Sequence, residues 1–245
     1  MENFKELTHT YTVTPGLCNA RRELPVTLLI SNIIELATEH ANNLGIGFLY
    51  TTPKGIGWVL TRLSLQMSRY PSFNEEYSIT TWVESLNRFY SVRDFAISDS
   101  KGEIIGYVRS AWMLINLTSH TTVGTEAVPF DTSLVSDRPC IVDNVDRRPK
   151  QIAEEINKYR FRYTDIDFYG HVNTVRYVEL ILNQFPLSLY ETSHVHRMEL
   201  SFHKEARYAE QIDVEKITLE SSTPSFNITL RRDKDMLFSC RIIFS

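Results

Sequence analysis

The chain has 245 residues, 42% of them hydrophobic, and a formal net charge of −4 at pH 7. That length exceeds the roughly 100–150 residues of an ordinary single domain, so one large domain or two small ones can be built. The negative balance argues against general nucleic-acid binding, while leaving room for a local basic patch that meets an acidic partner.

In chain order, MENFKELTHT carries neither a basic leader nor an apolar signal, and no apolar run approaches the roughly 20 residues of a membrane helix. A protein kept in the cytoplasm, without membrane attachment, is expected. A short β-like run, YTVT at Tyr11, precedes a long helical pattern: Val26, Leu29, Ile30, Ile33, Ile34, Ala37, Ala41 and Leu44 recur at helical spacing, with Pro25 at the start and Asn43 to Gly45 as the stop. Alternating strands follow over Gly57 to Met67, Tyr77 to Ser85, Tyr90 to Ser98 and Glu103 to Leu117, with DSKG at Asp99 as a hairpin turn. Thr118 to Glu155 then carries Pro129, Pro139 and Pro149 and no sustained period, which reads as a connection.

The same order then recurs. YRFRY at Tyr159 is β-like, and Val172, Val175, Val178, Ile181, Leu182 and Phe185 keep helical spacing up to Pro186. Strands follow over Met198 to Lys204, Ile212 to Leu219, Ser225 to Leu230 and Met236 to Phe244, with RRDKD at Arg231 as a second hairpin turn. Arg62 to Ser85 can be laid over Arg197 to Glu220 without a gap, at an offset of 135 residues, with the apolar alternation matching throughout. A helix this apolar needs a sheet to cover it. The expected fold is α+β: two tandem units, each a curled antiparallel sheet around a central helix, with units at 1–128 and 155–245 and a connection at 129–154.

The second helix begins at an unusual stretch. DIDFYGHVN holds Asp165, Asp167, Gly170, His171 and Asn173 within nine positions. Each has a plain reading: the aspartates satisfy turn amides, His171 is packed and hydrogen-bonded, and Asn173 is an N-cap. The first helix starts instead at ARRELPV.

DIDFYGHVNTVRYVE resembles the D-x-D-x-x-G-H-V-N-N-x-x-Y signature of hotdog-fold thioesterases. The whole chain resembles the plant and bacterial acyl-acyl-carrier-protein thioesterases, which are double hotdogs. Further stretches in the same order carry the likeness: GWVLTRLSLQMSRYPSFNEEYSITTWVE, VRDF at Val92, GEIIGYVRSAWMLIN and LSFHKEA at Leu200. The resemblance implies hydrolysis of the thioester of a long-chain acyl carrier protein, releasing free fatty acid and ending fatty acid synthesis. Carried over residue by residue, it puts the family's aspartate on Asp167, its histidine on His171 and its glutamate on Glu205. Tyr169 stands where the plant enzymes have asparagine, a role that can move to Asn173, and Ala206 stands where they have cysteine, which removes a Cys-His mechanism at that position.

Thioester hydrolysis needs an attacking oxygen and donors for the oxyanion. Asp167 can attack directly or deprotonate water, Glu205 can orient that water, and His171 can donate a hydrogen bond or proton. The helix start offers the amides of Gly170 to Asn173 for the oxyanion. Glu205 aligns with Tyr70, so one half is expected to be catalytic and the other to hold the acyl tail, with Phe48, Trp58, Met67, Trp82 and Trp112 as core or tunnel residues. Arg147, Arg148, Lys150, Arg160, Arg162, Arg176, Lys204 and Arg207 are candidates for meeting an acidic carrier protein. His194 and His196 lack further ligands at metal spacing, and Cys18, Cys140 and Cys240 form neither a disulfide framework nor a C-x-x-C pair. No metal or cofactor is expected. An acyl-coenzyme A thioesterase and a non-catalytic acyl-binding sensor are the alternatives, and both a monomer and a homodimer remain open.

Overall fold

The computed structural model describes residues 5–142 and 153–245. Arg147, Arg148 and Lys150 of the expected basic group lie outside the described residues. The chain forms two compact units, Met1–Asn144 and Val145–Ser245.

Unit 1 opens with strand β1 (Glu6–Thr12) and a short 3-10 turn (Pro15–Leu17), followed by helix α1 (Val26–Asn43) and a single turn, α2 (Phe48–Thr51). Strands β2 (Ile56–Met67), β3 (Glu76–Leu86), β4 (Ser91–Asp99), β5 (Ile104–Asn116) and the two-residue β6 (Thr122–Val123) complete it. The sheet runs β1-β3-β4-β5-β2, every pairing antiparallel, with β6 on β5. Helix α1 buries Val26, Leu29, Ile30, Ile33, Leu36, Ala37 and His40. The expected face was slightly rotated: Ile34, Ala41 and Leu44 are only half-buried.

Part of the segment expected as a connection packs on unit 1. The Ser136 amide donates to the Val83 carbonyl at 2.9 Å. Arg138 reaches Glu6 at 2.8 Å and lies over the Trp82 ring at 4.8 Å, and Val142 is fully buried.

Unit 2 repeats the plan with β7 (Glu155–Arg160), a 3-10 turn (Tyr163–Asp165), α3 (Thr174–Leu182), α4 (Leu187–Thr192), β8 (Val195–Phe202), β9 (Gln211–Thr218), β10 (Ser225–Arg232) and β11 (Asp235–Phe244). Its strand order, β7-β9-β10-β11-β8, repeats that of unit 1 strand for strand. Tyr177 of α3 stacks on Phe238 of β11 at 5.0 Å and meets Phe202 of β8 edge-on at 6.2 Å, so the helix lies on the sheet through aromatic contacts. Pro186 does not itself stop the helix. The helix α3 has already stopped at Leu182, capped by Asn183, and Pro186 supplies the N-cap of α4.

Both units are hotdog-like: a long helix buried against one antiparallel sheet, in an α+β architecture.

Candidate active site

The DIDFYGH stretch folds into a tight turn closed by the backbone of Asp167 and His171. The Asp167 amide donates to the His171 carbonyl at 2.8 Å, and the Gly170 amide donates to the Asp167 carbonyl at 3.0 Å. One carboxylate oxygen of Asp167 fills the turn, accepting the amides of Tyr169 at 2.9 Å and His171 at 3.1 Å. Gly170 takes the left-handed conformation that such a turn needs, with φ of 83°.

A second carboxylate anchors the turn from behind. Asp165 is buried, and its Oδ2 accepts the Arg162 amide at 2.7 Å and the Tyr159 hydroxyl at 3.0 Å. Its carbonyl takes the Asn173 amide at 2.8 Å. Asp165 is therefore a fold residue. The turn is fastened on its other side to the loop after β8, where His171 pairs with Arg207 in an antiparallel bridge and the Val172 amide donates to Ala206 at 2.9 Å. That fastening brings Glu205 to the histidine: His171 Nε2 lies 3.1 Å from Glu205 Oε2.

Of the four residues expected at the site, Asp167 and His171 share the turn and Glu205 reaches His171. Asn173 caps α3, its side-chain oxygen accepting the Val175 amide at 2.8 Å. One expectation is corrected. The amides of Gly170, His171, Val172 and Asn173 each already donate within the turn or to its anchors, so none of them is available to an oxyanion. Tyr169, at the family asparagine, is half exposed with its ring 4.1 Å from Phe168. Ala206, at the family cysteine, is fully buried.

Unit 1 contains the same turn. There the Asn19 amide donates to Glu23 at 2.9 Å, the Arg22 amide donates to Asn19 at 3.0 Å, and the Asn19 side-chain oxygen accepts the amides of Arg21 at 2.9 Å and Glu23 at 3.0 Å. Arg22, at the position of Gly170, is also left-handed, with φ of 61°. Glu23 bridges Ser72 as His171 bridges Arg207, and the Leu24 amide donates to Pro71 as that of Val172 does to Ala206. The correspondence escaped the sequence because the gap-free offset of 135 becomes 148 on the other side of the helix, where Asn19 meets Asp167. In this copy Glu23 is held by Arg21 at 3.1 Å, and Tyr70 stands where unit 2 has Glu205. Burial, and then the Glu23 charge, push the Tyr70 phenol well above its ordinary range.

Other expected groups fall into distinct environments. Arg176 pairs with Glu179 at 2.6 Å and Lys204 with Asp235 at 2.7 Å, whereas Arg160 gives its Nε to the Ala209 carbonyl at 3.2 Å. Burial and the neighbouring Asp94 push the Cys140 thiol up to about 12, so it stays protonated at neutral pH. Met67 and Trp82 are core, Trp58 and Trp112 are half-buried with their indole N–H groups bonded, and Phe48 is exposed. Among the described residues, no group of three or more His, Cys, Asp or Glu is arranged to hold a metal ion. No helix among them is long and apolar enough to cross a membrane.

The family model of the acyl-ACP thioesterase N-terminal domain matches residues 5–126, and that of the C-terminal domain matches residues 149–244. The chain belongs to the acyl-ACP thioesterase family. Among solved structures in that family's range, an acyl-ACP thioesterase from Bacteroides thetaiotaomicron is 27% identical and superposes with a TM-score of 0.92 over 100% of both chains. A 12:0-ACP thioesterase from Umbellularia californica shares the fold, with 19% identity and a TM-score of 0.86 over 98% of this chain and 94% of that one. An acyl-[acyl-carrier-protein] hydrolase, chloroplastic, from Cuphea viscosissima is 27% identical over 76% of this chain and 48% of its own length. A palmitoyl-acyl carrier protein thioesterase, chloroplastic, from Gossypium hirsutum is 27% identical over 74% of this chain and 47% of its own. The chain thus spans about half the length of the curated relatives it matches.

Proposed function

We propose that the protein hydrolyses the thioester of long-chain acyl-[acyl-carrier-protein] in the cytoplasm, releasing free fatty acid and ending fatty acid synthesis. The observation that carries this reading is the 3.1 Å contact of His171 with Glu205 on a turn whose duplicate holds Asn19 at the place of Asp167. Since an amide oxygen suffices for the turn, the charge on Asp167 is surplus to folding and serves the chemistry.

In this mechanism Asp167 takes a proton from water as the water oxygen adds to the thioester carbon. Glu205 holds His171 in place, and His171 protonates the departing thiolate when the C–S bond breaks. The oxyanion is met by the Thr174 amide, the first of α3, with the positive end of the helix behind it. Asn173 starts that helix and thereby aims this amide. Unit 1, with the long apolar helix α1 and no His–Glu pair at its own turn, receives the acyl tail. Enlarging a small buried position there, as in Ala37→Leu, is expected to shorten the preferred chain, because each excluded CH₂ forfeits about 0.8 kcal/mol of burial.

The test is the rate of acid release from matched series of acyl-carrier-protein and acyl-coenzyme A thioesters. Faster turnover of the carrier-protein series supports the reading. Preference for the coenzyme A series would reassign the substrate, and binding without turnover would make the protein an acyl sensor.

A further inference from the structure

We infer that the aromatic and arginine side chains around the His171–Glu205 pair form the dock for the phosphopantetheine arm of the carrier protein, a reading that rests on the carrier substrate proposed above. Tyr163 is 85% exposed, Phe168 80%, Tyr208 65% and Tyr169 43%, all on the two segments that make the site. Phe168 and Tyr169 are on the Asp167 turn, Tyr163 precedes Asp165, and Tyr208 follows Arg207, the bridge partner of His171. Arg162 and Arg207 are exposed, and among the described residues neither forms an ion pair.

Four exposed aromatics on the two segments that carry His171 and Glu205 require a reason, because large apolar surface in water is usually a binding surface. The fold does not supply that reason. Unit 1 builds the same turn and the same bridges with Pro15 at the place of Tyr163, Ala20 at Phe168, Arg21 at Tyr169, Thr14 at Arg162 and Ser72 at Arg207. Only Phe73, at the place of Tyr208, keeps an aromatic ring. The enrichment is therefore confined to the copy that carries His171 and Glu205.

The chemistry of the arm matches this set. Its thioester end must reach the His171–Glu205 pair, its amides and gem-dimethyl group suit amphipathic tyrosine and phenylalanine faces, and its phosphodiester suits a guanidinium that has no carboxylate of its own. Aromatic residues and arginine are also the types that concentrate binding energy at protein interfaces. In a chain of net charge −4, cations left without an acidic partner beside the site give the charge complement to an acidic carrier.

Phe168→Ala, Arg162→Thr and Arg207→Ser install the residues that unit 1 carries at the same places of its turn, and Tyr208→Ser removes the one ring that both copies keep. Phe168→Ala with Tyr208→Ser, and Arg162→Thr with Arg207→Ser, are assayed on three thioesters of one acyl chain: the carrier protein, pantetheine, and N-acetylcysteamine, which keeps only the end of the arm. The aromatic pair is expected to raise KM about ten-fold for the carrier and pantetheine substrates and at most about two-fold for the short one. The arginine pair is expected to raise KM for the carrier substrate most and to flatten its salt dependence. Equal losses on all three substrates, or no loss on any, would overturn the dock. Binding of holo-carrier protein without an acyl group is titrated in parallel, so that a wild type lacking hydrolysis still reports on docking. No binding there, or equal competition by free coenzyme A, would overturn the assignment to the carrier. Sedimentation of the aromatic variants decides the remaining case: a change from dimer to monomer would make the rim a subunit interface instead.

Discussion

At Asn19 a carboxamide oxygen accepts two amides and closes a turn; at Asp167 a carboxylate oxygen accepts the two corresponding amides and closes the same turn. Around the first, Glu23 is held by Arg21 beside a buried tyrosine, Tyr70, and around the second, His171 meets Glu205. The backbone requirements are common to both, so whatever differs between the copies is free of the fold. What differs is a charge, a histidine, a second acid and a rim of exposed aromatics. A duplicated chain thus contains its own control for separating fold residues from site residues.

The sharpest test of that separation is Asp167→Asn, which makes the second turn resemble the first. Hydrolysis is expected to fall at least ~10²-fold, while thermal stability stays within about 1 kcal/mol, since Asn19 shows that an amide oxygen holds this turn. More than half the activity in a folded variant would remove Asp167 from the chemistry.

Glu205→Gln and His171→Gln are expected to follow, each with a smaller loss. If the two act as one unit, the double variant loses less than the product of the single losses, with a coupling of about 0.5–3 kcal/mol. Strict additivity in kcat would mean that they work apart.

Asp165→Ala should reverse the pattern. Removing this buried acceptor leaves the Arg162 amide and the Tyr159 hydroxyl without their partner, which is expected to cost about 1–3 kcal/mol in chemical denaturation. The kcat of the folded fraction should drop far less than for Asp167→Asn. A loss of rate as large as that of Asp167→Asn, without loss of stability, would place Asp165 in the chemistry instead.

The smallest effect is expected from Asn19→Asp in unit 1. It restores the acid to a turn that still has Glu23 and Tyr70, so no new hydrolysis should appear and stability should move by no more than about 0.5 kcal/mol. A gain in turnover measured in an Asp167→Asn background would show that the first turn had kept a working site.

The amino-acid pattern by itself determined the elements and their repetition. Alternating apolar residues and helical spacing are local, so α1 and most of the long strands could be read within a residue or two of their ends, whereas β8 begins three residues before the expected Met198 and α3 ends three residues before the expected Phe185. The family resemblance likewise singled out Asp167, His171 and Glu205 as candidates, because residue type and order are properties of the chain. Helices α2 and α4, at four and six residues, are too short to develop a period. Hydrogen-bond accounting belonged to the tertiary structure alone. Only the folded turn revealed that Asp165 is an anchor, that the amides of Gly170 to Asn173 are spent, and that Asn19 duplicates Asp167. Those facts depend on which donor meets which acceptor across tens of residues, as where Val172 meets Ala206 and Leu24 meets Pro71. The two helices between the matched segments differ in length, 18 residues in α1 against nine in α3, so no single offset along the chain could have aligned both sides of the turn.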